Sequence, residues 1–137
     1  MFQALQEAYA AFDDDEIPVG AVVVCQNRII ARAHNQTERL RDVSAHAEIL
    51  AMTAACQYLG NKYLDQCTLY VTLEPCPMCA GALAWSQLGA IVFGASDAKR
   101  GFSRFEPSLL HPKTTIRTGV LADECAALMQ DFFKRKR

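Results

Sequence analysis

Two cysteines, one histidine and one glutamate carry the chemical signal in this chain. Pro75-Cys76-Pro77-Met78-Cys79 sets two thiols at i and i+3 at a predicted helix start, where both point the same way. Unpaired amides and the positive dipole end favour thiolate there, the form that ligates a metal. The same Cys-x-x-Cys spacing also serves thiol–disulfide exchange, so a second element must decide between the two. Ser44-Ala45-His46-Ala47-Glu48, at the start of the preceding predicted helix, supplies a third donor in His46. A Cys2His set leaves tetrahedral zinc one open position, as catalytic sites do. His34 and His111 fall in no paired ligand spacing. Bound zinc lowers the pKa of water to about 7, and hydrolysis then needs a group that moves protons, for which Glu48 stands ready. One conflict remains: residues two apart on a regular helix point to nearly opposite sides. His46 and Glu48 share a site only if the pair sits at the first turn or the site wraps the helix end.

Around these residues the pattern is that of one domain, residues 1–137, with no internal repeat, linker or low-complexity segment. Half the residues are apolar (51%) and a fifth charged (21%), a globular composition able to form a core without staples. The six cysteines therefore do not read as a disulfide framework, and Cys25, Cys56, Cys67 and Cys125 read as buried free thiols. No apolar run approaches the length of a membrane span and no secretory pattern opens the chain, which points to the cytoplasm. Met1 to Leu5 already reads as helix, implying that the natural chain starts slightly earlier.

Phe2, Leu5, Ala8 and Phe12 recur at helical spacing, and the helix ends in the acidic run Asp13 to Glu16. Val19 to Cys25 is a β-branched buried strand, turned by Gln26-Asn27 into a second strand from Arg28 to Ala33. Ser44 or Asp42 caps a helix from Ala45 to Leu59, closed by Gly60-Asn61. Strands follow at Thr68–Thr72, Ala90–Gly94 and Thr114–Thr118, and helices at Pro77–Leu88 and Ala122–Phe133. Strand–helix alternation predicts an α/β fold: a three-layer α/β/α sandwich on a mixed five-stranded sheet whose first two strands form an antiparallel hairpin. Ligands bind such sheets at the carboxyl ends of strands, where both motifs fall.

His46-Ala47-Glu48 followed by Pro75-Cys76-x-x-Cys79 resembles the zinc deaminases of the cytidine/deoxycytidylate deaminase superfamily. Within it the chain is most similar to the bacterial tRNA-specific adenosine deaminases. The likeness extends to Glu16-Ile17-Pro18-Val19-Gly20-Ala21, Asn35, Leu69 to Cys76, Met78 to Ala82, Val92 to Ala95, Asp97-Ala98-Lys99, and Gly119 to Leu128 with Phe132-Phe133. It implies a cytidine-deaminase-like fold, one Zn2+ per chain held by His46, Cys76 and Cys79, and Glu48 as the catalytic acid/base. It implies hydrolysis of adenosine to inosine at the wobble position of a tRNA anticodon stem-loop, by a homodimer. Asn35 and Ala47 would meet the target base, and Asp97 and Lys99 would lie near the RNA.

The pattern departs at Arg100-Gly101-Phe102-Ser103-Arg104-Phe105-Glu106-Pro107, where such proteins commonly carry small residues. These aromatics either stack on bases, with Arg104 beside them, or pack the loop onto the body. The basic end, Lys134, Arg135, Lys136 and Arg137, is either a solvated helix end or a phosphate-binding patch, and an RNA substrate favours the second. Two other readings remain: a deaminase of a free base or nucleoside such as guanine or cytosine, and a zinc-stabilised RNA-binding module without catalysis.

Overall fold

In the computed structural model, which describes all 137 residues, local patterning accounts for most elements. Helix α1 (Phe2–Asp13) precedes the hairpin of β1 (Gly20–Cys25) and β2 (Arg28–His34). Gln26 and Asn27 both adopt positive φ, 51° and 63°, a two-residue turn whose twist matches the flanking strands. A short helix α2 (Thr37–Leu40) and α3 (Ala47–Leu59) then lead to β3 (Cys67–Leu73). Next come α4 (Pro77–Trp85), β4 (Ala90–Ala95), a single 3-10 turn at Phe102–Arg104, β5 (Thr115–Thr118) and α5 (Ala122–Lys136).

The sheet has five strands in the order β2-β1-β3-β4-β5. β1 runs antiparallel to both of its neighbours, so β2 and β3 are parallel to each other across it. β3–β4 and β4–β5 are parallel. The carboxyl ends of β2, β3 and β4 consequently share one edge of the sheet. That is the mixed three-layer sandwich expected from the alternation of elements.

Two cores flank the sheet. On one face Ala47, Ala51 and Ala55 of α3, with Ala80 and Leu83 of α4, pack on Ala21, Val23, Leu69, Val71, Ile91 and Phe93. On the other, Leu5 and Ala8 of α1 join Cys125 and Leu128 of α5 over Ala95. β1 is buried on both sides over Gly20–Val23, which explains its unbroken apolar run. Gly20 is required where α1 rests on β1, since a Cβ there would lie 2.0 Å from the Ala4 carbonyl oxygen.

Helix α4 ends at Trp85 rather than Leu88, with Gln87 beyond it at φ 55°, and three further departures from expectation have tertiary partners. α3 begins at Ala47 rather than Ala45, and neither Ser44 nor Asp42 caps it. Asp42 instead accepts bonds from the Ser44 amide and hydroxyl at 2.8 and 2.7 Å. Helix α2 occupies what reads as loop, because the buried Glu16 carboxylate accepts the Glu38 and Arg39 amides at 3.1 and 2.8 Å. α5 continues to Lys136 instead of stopping at Phe133. Its last turn is held by Asp15, so Lys134, Arg135 and Lys136 belong to the helix rather than to a tail beyond it.

Candidate active site

The conflict between His46 and Glu48 disappears in the local backbone. His46 is the cap residue before α3, with extended φ −75° and ψ 152°, so its side chain does not follow the helical phase. Cys76 occupies the same position before α4, with φ −73° and ψ 168° and Pro77 next to it. Neither side chain makes a capping bond, which leaves both free to act as donors. Asn35, at the end of β2, does the capping for α3: its buried Oδ1 accepts the Ala47 amide at 2.8 Å.

His46 Nδ1 lies 3.7 Å from Cys76 Sγ and 3.5 Å from Cys79 Sγ. Ordinary Zn–N and Zn–S bond lengths at tetrahedral angles call for an N···S separation of about 3.6 Å. The three donor atoms all lie within 4.8 Å of one another, so the group fits a small tetrahedral metal ion. The order of donors on two converging helix starts also directs two positive dipole ends at the thiols.

The electrostatics agree with a site built to deprotonate. Hydrogen bonds from the Cys79 thiol and from His46 push the Cys76 thiol down to about 4. The Cys79 thiol is pushed upward by that same bond, by burial and by the neighbouring Glu48. His46 is raised above its ordinary value, chiefly by its bond to Cys76. Glu48 is 4% exposed, and burial pushes its carboxyl up to about 7, a value suited to moving protons near neutrality.

The remaining residues singled out in the sequence fall into two groups. Asn35 and Ala47 adjoin the donors directly, through their shared hydrogen bond. Asp97 and Lys99 lie on the loop after β4, where Asp97 Oδ1 accepts the Lys99 and Arg100 amides at 3.1 and 3.0 Å. In the divergent loop Phe102 packs edge-on against Phe93 at 5.9 Å, which fastens the loop to the body. Phe105 stays half exposed, and Arg104 bonds to the Lys99 carbonyl while lying 6.0 Å from the Phe105 ring.

At the basic end, Arg135 and Lys136 are not free. They pair with Asp15 at 3.2 and 2.6 Å, and the Arg135 guanidinium sits 4.2 Å from the Phe12 ring centre. Lys134 and Arg137 remain at the surface, flanking Phe133. Two structural residues were not singled out by spacing: Glu16 and Glu74, both buried carboxylates whose oxygens collect backbone amides. A glutamate ending an acidic run or standing beside a proline reads as solvent-facing, and only the closeness of the distant amides reveals otherwise.

A sandwich with two thiols and an imidazole on two helix starts, and a buried carboxyl beside them, defines a deaminase domain. The chain belongs to the MafB19-like deaminase family, whose model matches residues 1–137. It is 44% identical to the tRNA-specific adenosine deaminase of Rickettsia felis, over the whole of both chains. The Bacillus subtilis protein of that name is also 44% identical, over 100% of this chain and 88% of its own. Among solved structures, one from a study of A-to-I editing by tRNA:A34 deaminases superposes with a TM-score of 0.88 at 40% identity, covering 93% of this chain and 96% of the other. The guanine deaminase from Nitrosomonas europaea superposes with a TM-score of 0.79 at 27% identity, covering 94% of this chain and 80% of the other.

Proposed function

We propose that this protein is a zinc-dependent hydrolase that converts adenosine to inosine at the wobble position of a tRNA anticodon. The observation that carries this reading is the metal-ready triad of His46, Cys76 and Cys79 beside the buried Glu48. Full-length similarity to tRNA-specific adenosine deaminases supports the substrate.

A zinc ion held by the triad would act as a Lewis acid, making water nucleophilic near neutral pH. Glu48 accepts the proton of the attacking water, which adds at C6 of the adenine. The carboxyl then delivers that proton to the ring nitrogen, takes a second one from the hydroxyl now on C6 and passes it to the departing amine, so that ammonia leaves and inosine remains. Asn35 and Ala47 border the base, with Asn35 Nδ2 left available because its Oδ1 is used by the helix. Lys134, Arg137 and the loop cations near Lys99 neutralise phosphates of the anticodon strand.

The protein acts in the cytoplasm as a homodimer in this reading. No helix of the structure is long and apolar enough to cross a membrane. On α4, Met78, Ala82 and Trp85 follow one another at helical spacing, and Trp85 is 86% exposed, the apolar stripe that a second copy would cover. Trp85→Glu is expected to convert the dimer to a monomer in sedimentation.

The decisive experiment incubates zinc-loaded protein with an arginine tRNA anticodon stem-loop and measures inosine. Free adenine, guanine, cytosine and their nucleosides run in parallel. Inosine from the stem-loop is expected; turnover of a free base alone would replace the substrate reading.

A further inference from the structure

Glu74 is a buried carboxylate that neither the metal donors nor the proton-transfer residue uses. It is 4% exposed and directly precedes Pro75-Cys76. Its Oε1 accepts the Asp97 amide at 3.0 Å. Its Oε2 accepts the Ser103 amide at 2.9 Å and the Ser103 hydroxyl at 2.7 Å. All of these donors belong to the loop that leaves β4, so one side chain gathers both ends of its Asp97–Ser103 segment.

The backbone reinforces the arrangement. The Glu74 amide donates to the Ala95 carbonyl at 2.8 Å, and the Phe102 amide donates to the Pro75 carbonyl at 3.0 Å. Between them Gly101 passes over the carboxylate, where a Cβ would lie 2.0 Å from Oε2. A buried carboxylate is costly unless its lone pairs are filled. Here the loop fills them, so the conformation of the loop and the burial of Glu74 depend on each other. The same loop exposes Lys99, Arg100 and Arg104, and its Phe102 amide ties it to Pro75, the residue before Cys76.

We infer that Glu74 is a positioning residue that holds the Asp97–Arg104 loop against the rim of the metal site, presenting its cations as a preformed edge for RNA phosphates. The inference rests on the RNA-substrate reading above. A loop ordered during folding spares the ordering cost at binding, so losing Glu74 weakens substrate capture more than chemistry.

Glu74→Gln tests this, because the amide fills the same space but turns an NH2 toward a backbone donor. Zinc content is expected to stay at one per chain. With the anticodon stem-loop, KM is expected to rise about tenfold while kcat stays within about threefold. Amide hydrogen exchange is expected to accelerate over the Asp97–Ser103 loop and not over α3 or α4. Gly101→Ala, which pushes the carboxylate away from the loop side, is expected to give the same KM rise and the same exchange pattern. It carries the test if Glu74→Gln does not fold.

Loss of zinc or of kcat at unchanged KM would overturn the inference, making Glu74 a support of the cysteine turn. Unchanged KM and unchanged exchange in both variants would overturn it as well. If the wild-type protein yields no inosine from the stem-loop, the substrate reading fails separately. Hydrogen exchange and stem-loop binding by anisotropy then decide the role of Glu74 without activity.

Discussion

Asn35 Oδ1 accepts the amide of Ala47 at 2.8 Å, so the end of one strand caps the helix that carries Glu48. The bond sits between His46, a proposed metal donor, and Glu48, the proposed proton carrier, and it has two separable parts. Asn35→Ala leaves the Ala47 amide unpaired and is expected to cost about 1 kcal/mol of stability. Asn35→Asp keeps the acceptor and loses the Nδ2 donor. Thermal unfolding should find Asn35→Asp close to wild type and Asn35→Ala lower by about 3 °C. If Nδ2 meets the base, both variants lose kcat/KM on the stem-loop.

Glu48→Gln removes the proposed proton carrier and none of the three proposed metal donors. Activity is expected to fall by about 10²–10⁴-fold, the usual range for a positioned acid/base. Zinc content by elemental analysis and the circular dichroism spectrum should match wild type. An active Glu48→Gln protein would sink the role assigned to this carboxyl.

Asp15 holds Arg135 and Lys136 in exposed ion pairs, and Arg135 also lies on the Phe12 ring. Exposed pairs of this kind stabilise little at physiological salt. Asp15→Asn should therefore leave the melting temperature almost unchanged while freeing two cations. Stem-loop binding is expected to tighten, and the slope of log K against log salt to steepen by about 1. An unchanged slope would mean that the end of α5 does not face the RNA.

Cys67 and Cys125 test the reading of the outlying cysteines as free buried thiols. Burial is the main cause that pushes Cys67 up to about 12 and Cys125 up to about 11. At pH 8 both are protonated, because their raised values disfavour the thiolate, the reactive form. Iodoacetamide at that pH should leave them unlabelled in the folded protein and label them fully in denaturant, as read by peptide mass spectrometry. Rapid labelling of the native state would show that these sites open.

The chain announces its sheet and its donors through local signals. β-branched runs, the Gln26-Asn27 turn and Pro77 at a helix start each act over a few residues, so strand bounds are legible within a residue, while the ends of α4 and α5 miss by three and α2 is not legible. Cys76 and Cys79 share a helix start, and their partnership needs only i, i+3 geometry. His46 and Glu48 are harder. Locally the caps on offer are Asp42 and Ser44, either of which would put His46 inside the helix, and the choice that leaves it on extended backbone comes from elsewhere.

That choice is tertiary. β2 brings Asn35 to Ala47, and the helix therefore starts one residue after His46, which frees the imidazole from the helical phase. Glu16 and Glu74 were silent in spacing for the same reason: their partners at Arg39 and Ser103 lie in segments far along the chain. Arg135 reads as a free cation until α5 folds back onto Asp15. By itself the sequence determined which side chains could hold a metal and which elements would carry them, because both depend on neighbours in the chain. Only the folded structure decided which charges were already paired and where α3 began, because a buried carboxylate or amide must take its partner from whatever the packing brings within reach.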